Sequence, residues 1–313
     1  MIRAELMPLE PPRAPAWARP GSSFREVSEG EALYFAGAAL SALDSVAKSG
    51  PPWAGGWRRR LALKSAAAVA ANLLNRREDE AALRDAVALA KPGQDPGPAG
   101  KVYAAFRALA GPGDLFRPER LAAAAADLQA PLDGKRAGEL AAALREAAVR
   151  SRPAPLVAAA AAEAVIAFRA DAEPLALWAA DAALAKALGW PISIPLVAGE
   201  LLRRSNEARR PRPGEAGWSK LVALSYARAS LGALDLAQDF ARRAARLADA
   251  APKLRAKGKT GAIEALLADD AISATAPIAG LSDRARRRLF ERLVALGAAR
   301  ELTGRATFRL YGL

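Results

Sequence analysis

Apolar residues recur every three or four positions along most of this chain, and the recurrence breaks at clusters of proline and glycine. Leu33, Ala36, Gly37, Leu40 and Leu43 form one such stripe and predict a helix over residues 28–48. The same pattern predicts helices over 58–74, from the acidic run at 78–80 to about 90, and over 101–110, 118–128, 133–150, 155–169, 173–188 and 196–204. One or two helices fill 220–249, with Gly232 as the candidate break. Between 192 and 195, Ile-Ser-Ile-Pro predicts a buried, extended connection.

The last stretch alone changes period. Ser282 and Asp283 read as a helix start, because a serine can cap and an acid suits the positive end of the helix. Leu289, Leu293 and Leu296 follow at helical spacing, with Phe290 and Val294 widening the stripe, and Gly297 is placed to end it. Period two then takes over. Leu302, Phe308 and Leu310 are expected on one strand face, Arg309 and Tyr311 on the other, with Gly304 in the turn. Upstream, residues 261–270 predict a first helix and 275–279 a short second one, where Pro277 is tolerable only in a first turn. Helix, short helix, longer helix and hairpin are the parts of a winged helix. The expected fold class is therefore an all-α helical body with a small C-terminal winged-helix-like module, made of helices plus one β-hairpin. The expected domains are a disordered proline-rich tail over 1–25, an alanine-rich helical domain over 26–251 and the winged-helix-like module over 252–313.

Composition sharpens this picture. Apolar residues make up 52% of the 313, but alanine supplies much of that and aromatics only 6%, which favours closely packed helices. The formal net charge is +13. From Pro252 onward, twelve Lys and Arg stand against six Asp and Glu, so the terminal module is expected to meet a polyanion. The chain contains no cysteine and no histidine. Disulfides, thiol nucleophiles, Cys/His zinc sites and imidazole catalysis are thereby excluded, leaving carboxylate or lysine chemistry as the enzymatic options. No apolar run is long enough to span a bilayer and no basic-then-apolar leader opens the chain, so the cytoplasm is the expected compartment.

Candidate residues follow from these patterns. Arg284, Arg287, Arg288 and Arg292 fall outside the apolar stripe of their helix and are candidates for a DNA groove. Arg300, Arg305 and Arg309 are candidates for the phosphate backbone. The expected partner is double-stranded DNA, with no cofactor and no metal. The competing reading is a solvated arginine face that simply finishes a helical fold. Glu78, Asp79 and Asp95 are the candidates for a carboxylate-based enzyme. Adjacent acids do not face one another on a helix, and a first helical turn explains them without chemistry. A third alternative is a helical scaffold that binds a protein. Trp53 and Trp57 read as core anchors at a helix entry, and Trp17 as the one tail residue able to dock. Residues 207–219 read as an exposed basic loop. Gly258-Lys259-Thr260 fails as a phosphate loop, since the first glycine and the preceding strand are missing.

Several segments carry a resemblance: PPWAGGWRRRLALKSAAA from Pro51, REDEAALRDA from Arg77, DPGPAG from Asp95, LGWPISIPL from Leu188 and the terminal LFERLVALGAARELTGRATFRLYGL. Together they resemble the bacterial domain-of-unknown-function family numbered fourteen-zero-three, which implies no catalytic residue. More distantly, the order of elements is similar to proteins with a Fic-like helical core and a C-terminal winged helix. Active Fic proteins carry a histidine followed by a glycine-rich anion-binding loop. Here Trp190 and Pro191 stand where that loop begins, so the likeness implies a degenerate, non-catalytic body.

Overall fold

A computed structural model describes residues 10–21, 26–90, 94–149, 152–203, 210–256, 258–304 and 308–313. Among them, twelve α-helices and three short strands form. In chain order these are α1 (Glu29–Ser49), α2 (Ala54–Leu73), α3 (Glu80–Leu89), α4 (Gly97–Leu109), α5 (Pro118–Asp127), α6 (Gly134–Val149), α7 (Ala154–Phe168), α8 (Glu173–Leu188) and α9 (Val197–Leu201). Then come α10 (Trp218–Ala250), α11 (Lys259–Ala268), β1 (Ile272–Ser273), α12 (Asp283–Ala295), β2 (Arg300–Glu301) and β3 (Leu310–Gly312). The expected all-α body with a small C-terminal sheet is what forms. No helix among the described residues is long and apolar enough to cross a membrane.

The fold divides into two compact units, with α2 and α10 each contributing to both. One unit contains Pro12–Lys48 and Leu61–Leu234. Its centre is α8, buried from Glu173 through Ala185. A helix apolar on every side needs cover on every side. Here α7 supplies the most extensive cover, and α4, α6 and α9 also pack on it. Alanines on α7 and α8 (Ala158, Ala162, Ala176, Ala180) are fully buried, and their small side chains let the helices approach closely. Two tryptophans lock this packing with their polar edges: Trp178 Nε1 donates to Ala105 O at 3.0 Å and Trp218 Nε1 to Ala159 O at 3.2 Å.

Two buried carboxylates of this unit are matched. Asp181 is fully buried; its carboxylate accepts from Leu196 N (2.9 Å), Val197 N (3.1 Å) and the Tyr226 hydroxyl (3.1 Å). It thereby pins the extended 192–195 connection to α8, helped by the Ser193 hydroxyl donating to Asp181 O at 3.1 Å. Burial pushes the Asp181 carboxyl up to about 7, against the three donors that pull it down. Buried Glu173 takes ion pairs from Arg210 and Arg212. Part of the basic loop expected over 207–219 is thus anchored; residues 204–209 lie outside the described set. Gly232 does not break α10, because one exposed glycine costs only about 1 kcal/mol and the neighbouring Leu231 and Leu234 are buried.

The other unit contains Ser49–Arg60 and Asp235–Leu313. Residues 49–60 and 235–251, which the sequence reading leaves in the helical body, belong to the same unit as the terminal stretch. Trp53 and Trp57 are core anchors here, edge to face at 6.2 Å. Helix α2 begins at Ala54, so Gly55 and Gly56 lie inside its first turn. The α2 backbone runs so close to the end of α11 that a Cβ on Gly55 would sit 2.6 Å from Ala268 O. Arg60 bonds Asp270, which is buried, and lies over the Phe240 ring.

The sheet order is β1-β3-β2, both pairings antiparallel, with Ile272 opposite Tyr311 and Arg300 opposite Gly312. Two expectations need correction. No helix forms over 275–279. Ser273 instead closes a turn, its O accepting from Ala276 N (3.0 Å) and its hydroxyl from Thr275 N (3.1 Å). Pro277 has no N–H to extend a helix, and the carbonyls of Ala274 and Thr275 are taken by the Arg286 guanidinium at 3.3 and 3.2 Å. Tyr311 does not face away from the core. It stacks on Phe290 with centroids 4.7 Å apart, while its neighbour Leu310 is also buried, because β3 is the central strand and both of its faces are covered.

Candidate nucleic-acid interface

The site is built on α12. Ser282 caps it, its hydroxyl accepting from Ala285 N at 3.3 Å, and Gly297 follows it at φ +66, a backbone conformation open to glycine. At about 100° per residue, Arg286, Leu289, Phe290 and Leu293 share one side, and all four are buried. Arg284, Arg287, Arg288 and Arg292 spread over the opposite side and are exposed. Val294 and Leu296, expected in the apolar stripe, lie at its edge: Val294 is 38% exposed and Leu296 half-buried. The sequence reading missed Arg286. It sits among the apolar positions, and its buried guanidinium is satisfied by two carbonyls and Asp283. Its position in the apolar stripe was the available signal.

The remaining candidates separate. Arg309 lies near α12, with Glu291 Oε1 at 3.7 Å and Glu301 Oε1 at 3.8 Å. A hydrogen bond with the Tyr311 hydroxyl, then the Glu301 charge, hold its guanidinium above the ordinary value. Arg287, Glu291, Arg309, Phe308 and Thr275 line a groove of about 440 Å³ beside the exposed face of α12. Arg300 goes elsewhere. It donates to the main-chain oxygen of Leu313 at 3.3 Å and lines a different cavity, shared with Arg242, Arg243 and Arg246 of α10. Arg305 lies outside the described residues.

The candidate carboxylates are not gathered. Glu78 pairs with Arg76 at 2.7 Å, Asp79 caps α3 through Ala82 N at 2.8 Å, and Asp95 pairs with Lys101 at 2.7 Å. Hydrogen bonds from Arg76 and Lys101 hold Glu78 and Asp95 below the usual carboxylate range. No group of three or more Asp and Glu placed to hold a metal occurs among the described residues.

Residues 6–313 match the family model described as "Protein of unknown function (DUF1403)", and the chain belongs to that family. No curated protein and no solved structure matches it.

Proposed function

We propose that this member of the DUF1403 family binds double-stranded DNA through its terminal module, with α12 laid in a groove, and acts as a regulator. The observation that carries the reading is the exposed arc of Arg284, Arg287, Arg288 and Arg292, set opposite the buried side of a helix that leads into an antiparallel sheet. Guanidinium groups on one helix face can bond guanine edges bidentately or neutralise phosphates. Arg309, beside that face, would add a backbone contact, as would Arg305. The helix, strand, helix and hairpin order, with β3 between β1 and β2, is the support for a winged-helix-like module.

On this reading the helical body is a non-catalytic support, as expected of a degenerate Fic-like core. The backbone N–H groups of Leu196 and Val197, next to the Trp190-Pro191 segment, are taken by Asp181 rather than left for a phosphate. A scaffold role for the body has one observation in its favour. Trp17 and Tyr34 pair at 5.9 Å while remaining 59% and 60% exposed. Loss of a co-purifying protein on Trp17→Ala/Tyr34→Ala would support that role.

The test is a duplex titration over a range of salt, comparing the full chain with a variant in which the four arginines of α12 are glutamine. Ending the chain at Ala251 is a poor comparison, since it would uncover Gly55 and Gly56, whose backbone lies against Leu267, Ala268 and Asp269. Binding that weakens with salt and is lost in the variant supports the reading. Equal binding by both proteins overturns it.

A further inference from the structure

The second cluster of arginines is not on the exposed face of α12. Arg242, Arg243 and Arg246 come from one side of α10, at successive spacings of one and three, and Arg300 comes from β2. They converge with Gly297–Ala299 on a cavity of about 200 Å³. Asp239 is the one carboxylate side chain among its lining residues, and it is already shared between Arg243 (2.7 Å) and Arg242 (3.4 Å). Arg246 has no acceptor among the described residues. Four guanidinium groups around one small cavity repel one another, and the one acidic side chain there does not offset all four. The crowding is felt at Arg300, which burial and then the Arg243 and Arg60 cations push below its ordinary value. Clustered cations facing an open cavity are what a compact, multiply charged oxyanion requires, and the planar guanidinium fork matches phosphate oxygens two at a time.

We propose that this cavity is a phosphate-binding site, with Arg242, Arg246 and Arg300 as its ligands and Arg243 held in place by Asp239. The phosphate belongs either to a nucleic-acid backbone or to a small phosphorylated molecule. At about 200 Å³ the cavity has room for one or two phosphoryl groups. The proposal stands apart from duplex recognition by α12, because none of the four exposed α12 arginines lines the cavity.

Pyrophosphate titrated calorimetrically into the full-length protein, in buffer free of other phosphates, tests it. A saturable one-site transition is expected, and sodium chloride at the same ionic strength should not reproduce it. Arg242→Gln/Arg246→Gln should weaken the binding by at least ten-fold, while the glutamine variant of the α12 face leaves it within two-fold. Arg246→Gln alone should weaken it several-fold; this exposed side chain holds nothing in the fold, so the comparison survives if the double variant is unstable. Absence of a saturable transition in the wild type, or equal affinity in wild type and Arg246→Gln, overturns the proposal. Repeating the titration with saturating duplex separates the two sources. Loss of pyrophosphate binding identifies a backbone phosphate, and retention identifies a small phosphorylated molecule. A duplex that fails to bind at all would overturn the reading of α12 and leave the cavity result standing.

Discussion

The two units close buried charge in the same way, but the unit that carries α12 also gathers exposed charge of one sign. In the unit around α8, buried carboxylates are closed into networks: Asp181 by two backbone N–H groups and a tyrosine, Glu173 by two arginines. In the unit that carries α12, buried Asp270 and Arg286 are closed in the same manner. Yet four arginines of α12 are left in solvent, and four more surround a cavity with one acidic side chain, which two of them share. Burial explains the matched charges, because an unpaired charge costs far more in the interior than at the surface. Packing does not explain the surplus. A surplus of one sign, gathered rather than dispersed, is where the proposed DNA and phosphate contacts lie.

Removing the buried carboxyl of Asp181 should have the largest effect on stability. Asp181→Ala leaves two backbone donors and the Tyr226 hydroxyl buried without acceptors, and should cost about 3–5 kcal/mol in denaturant unfolding. A loss under 1 kcal/mol would show that the network is not what holds the 192–195 connection.

The same residue sets a pH dependence. In the fold its carboxyl keeps a proton up to about 7, whereas in the unfolded chain it loses it near 3.8, so the native state holds the extra proton between these values. Stability contributed by this site should therefore fall as pH rises from about 4 to about 7 and level off above, by roughly 4 kcal/mol in all. Asp181→Asn should abolish that slope. A slope that persists in the variant assigns it to other groups.

A packing change in the other unit should come next. Gly55→Ala forces a methyl against Ala268 O and should destabilise by about 1–3 kcal/mol, read from the unfolding midpoint. No change would mean that α2 and α11 part without cost.

The unmatched charges should behave in the reverse sense. Replacing Arg284, Arg287, Arg288 and Arg292 by glutamine should alter stability by less than about 0.5 kcal/mol. The slope of log affinity for duplex against log salt should meanwhile fall by up to about four units. A stability loss above 2 kcal/mol would make the arginines structural. The smallest effect is expected for Glu291→Gln, which removes the acid between Arg287 and Arg309 and should tighten duplex binding two- to five-fold at low salt. Weaker binding would argue that Glu291 positions Arg309.

The exposed half of the candidate site was legible in the sequence, because helical periodicity alone puts Arg284, Arg287, Arg288 and Arg292 opposite Leu289 and Leu293. The phosphate cavity was not. The one-sided grouping of Arg242, Arg243 and Arg246 is visible in the chain, but Arg300 joins them from more than fifty residues away, and no local rule reaches that far. Sequence by itself determined what acts within about one helical turn: where most helices run, the Ser282 cap, the left-handed Gly297 and the change of period after it. Tertiary structure decided whatever depends on what lies across a gap. Spacing puts Arg286 on the buried side of α12, but its guanidinium can stay there only because the carbonyls of Ala274 and Thr275 face it across the gap. Tyr311 turns inward because β3 became the central strand, with β1 and β2 on either side and Phe290 against its ring. Residues 275–279 stay unwound because Arg286 satisfies carbonyls that a helix would otherwise have bonded for itself.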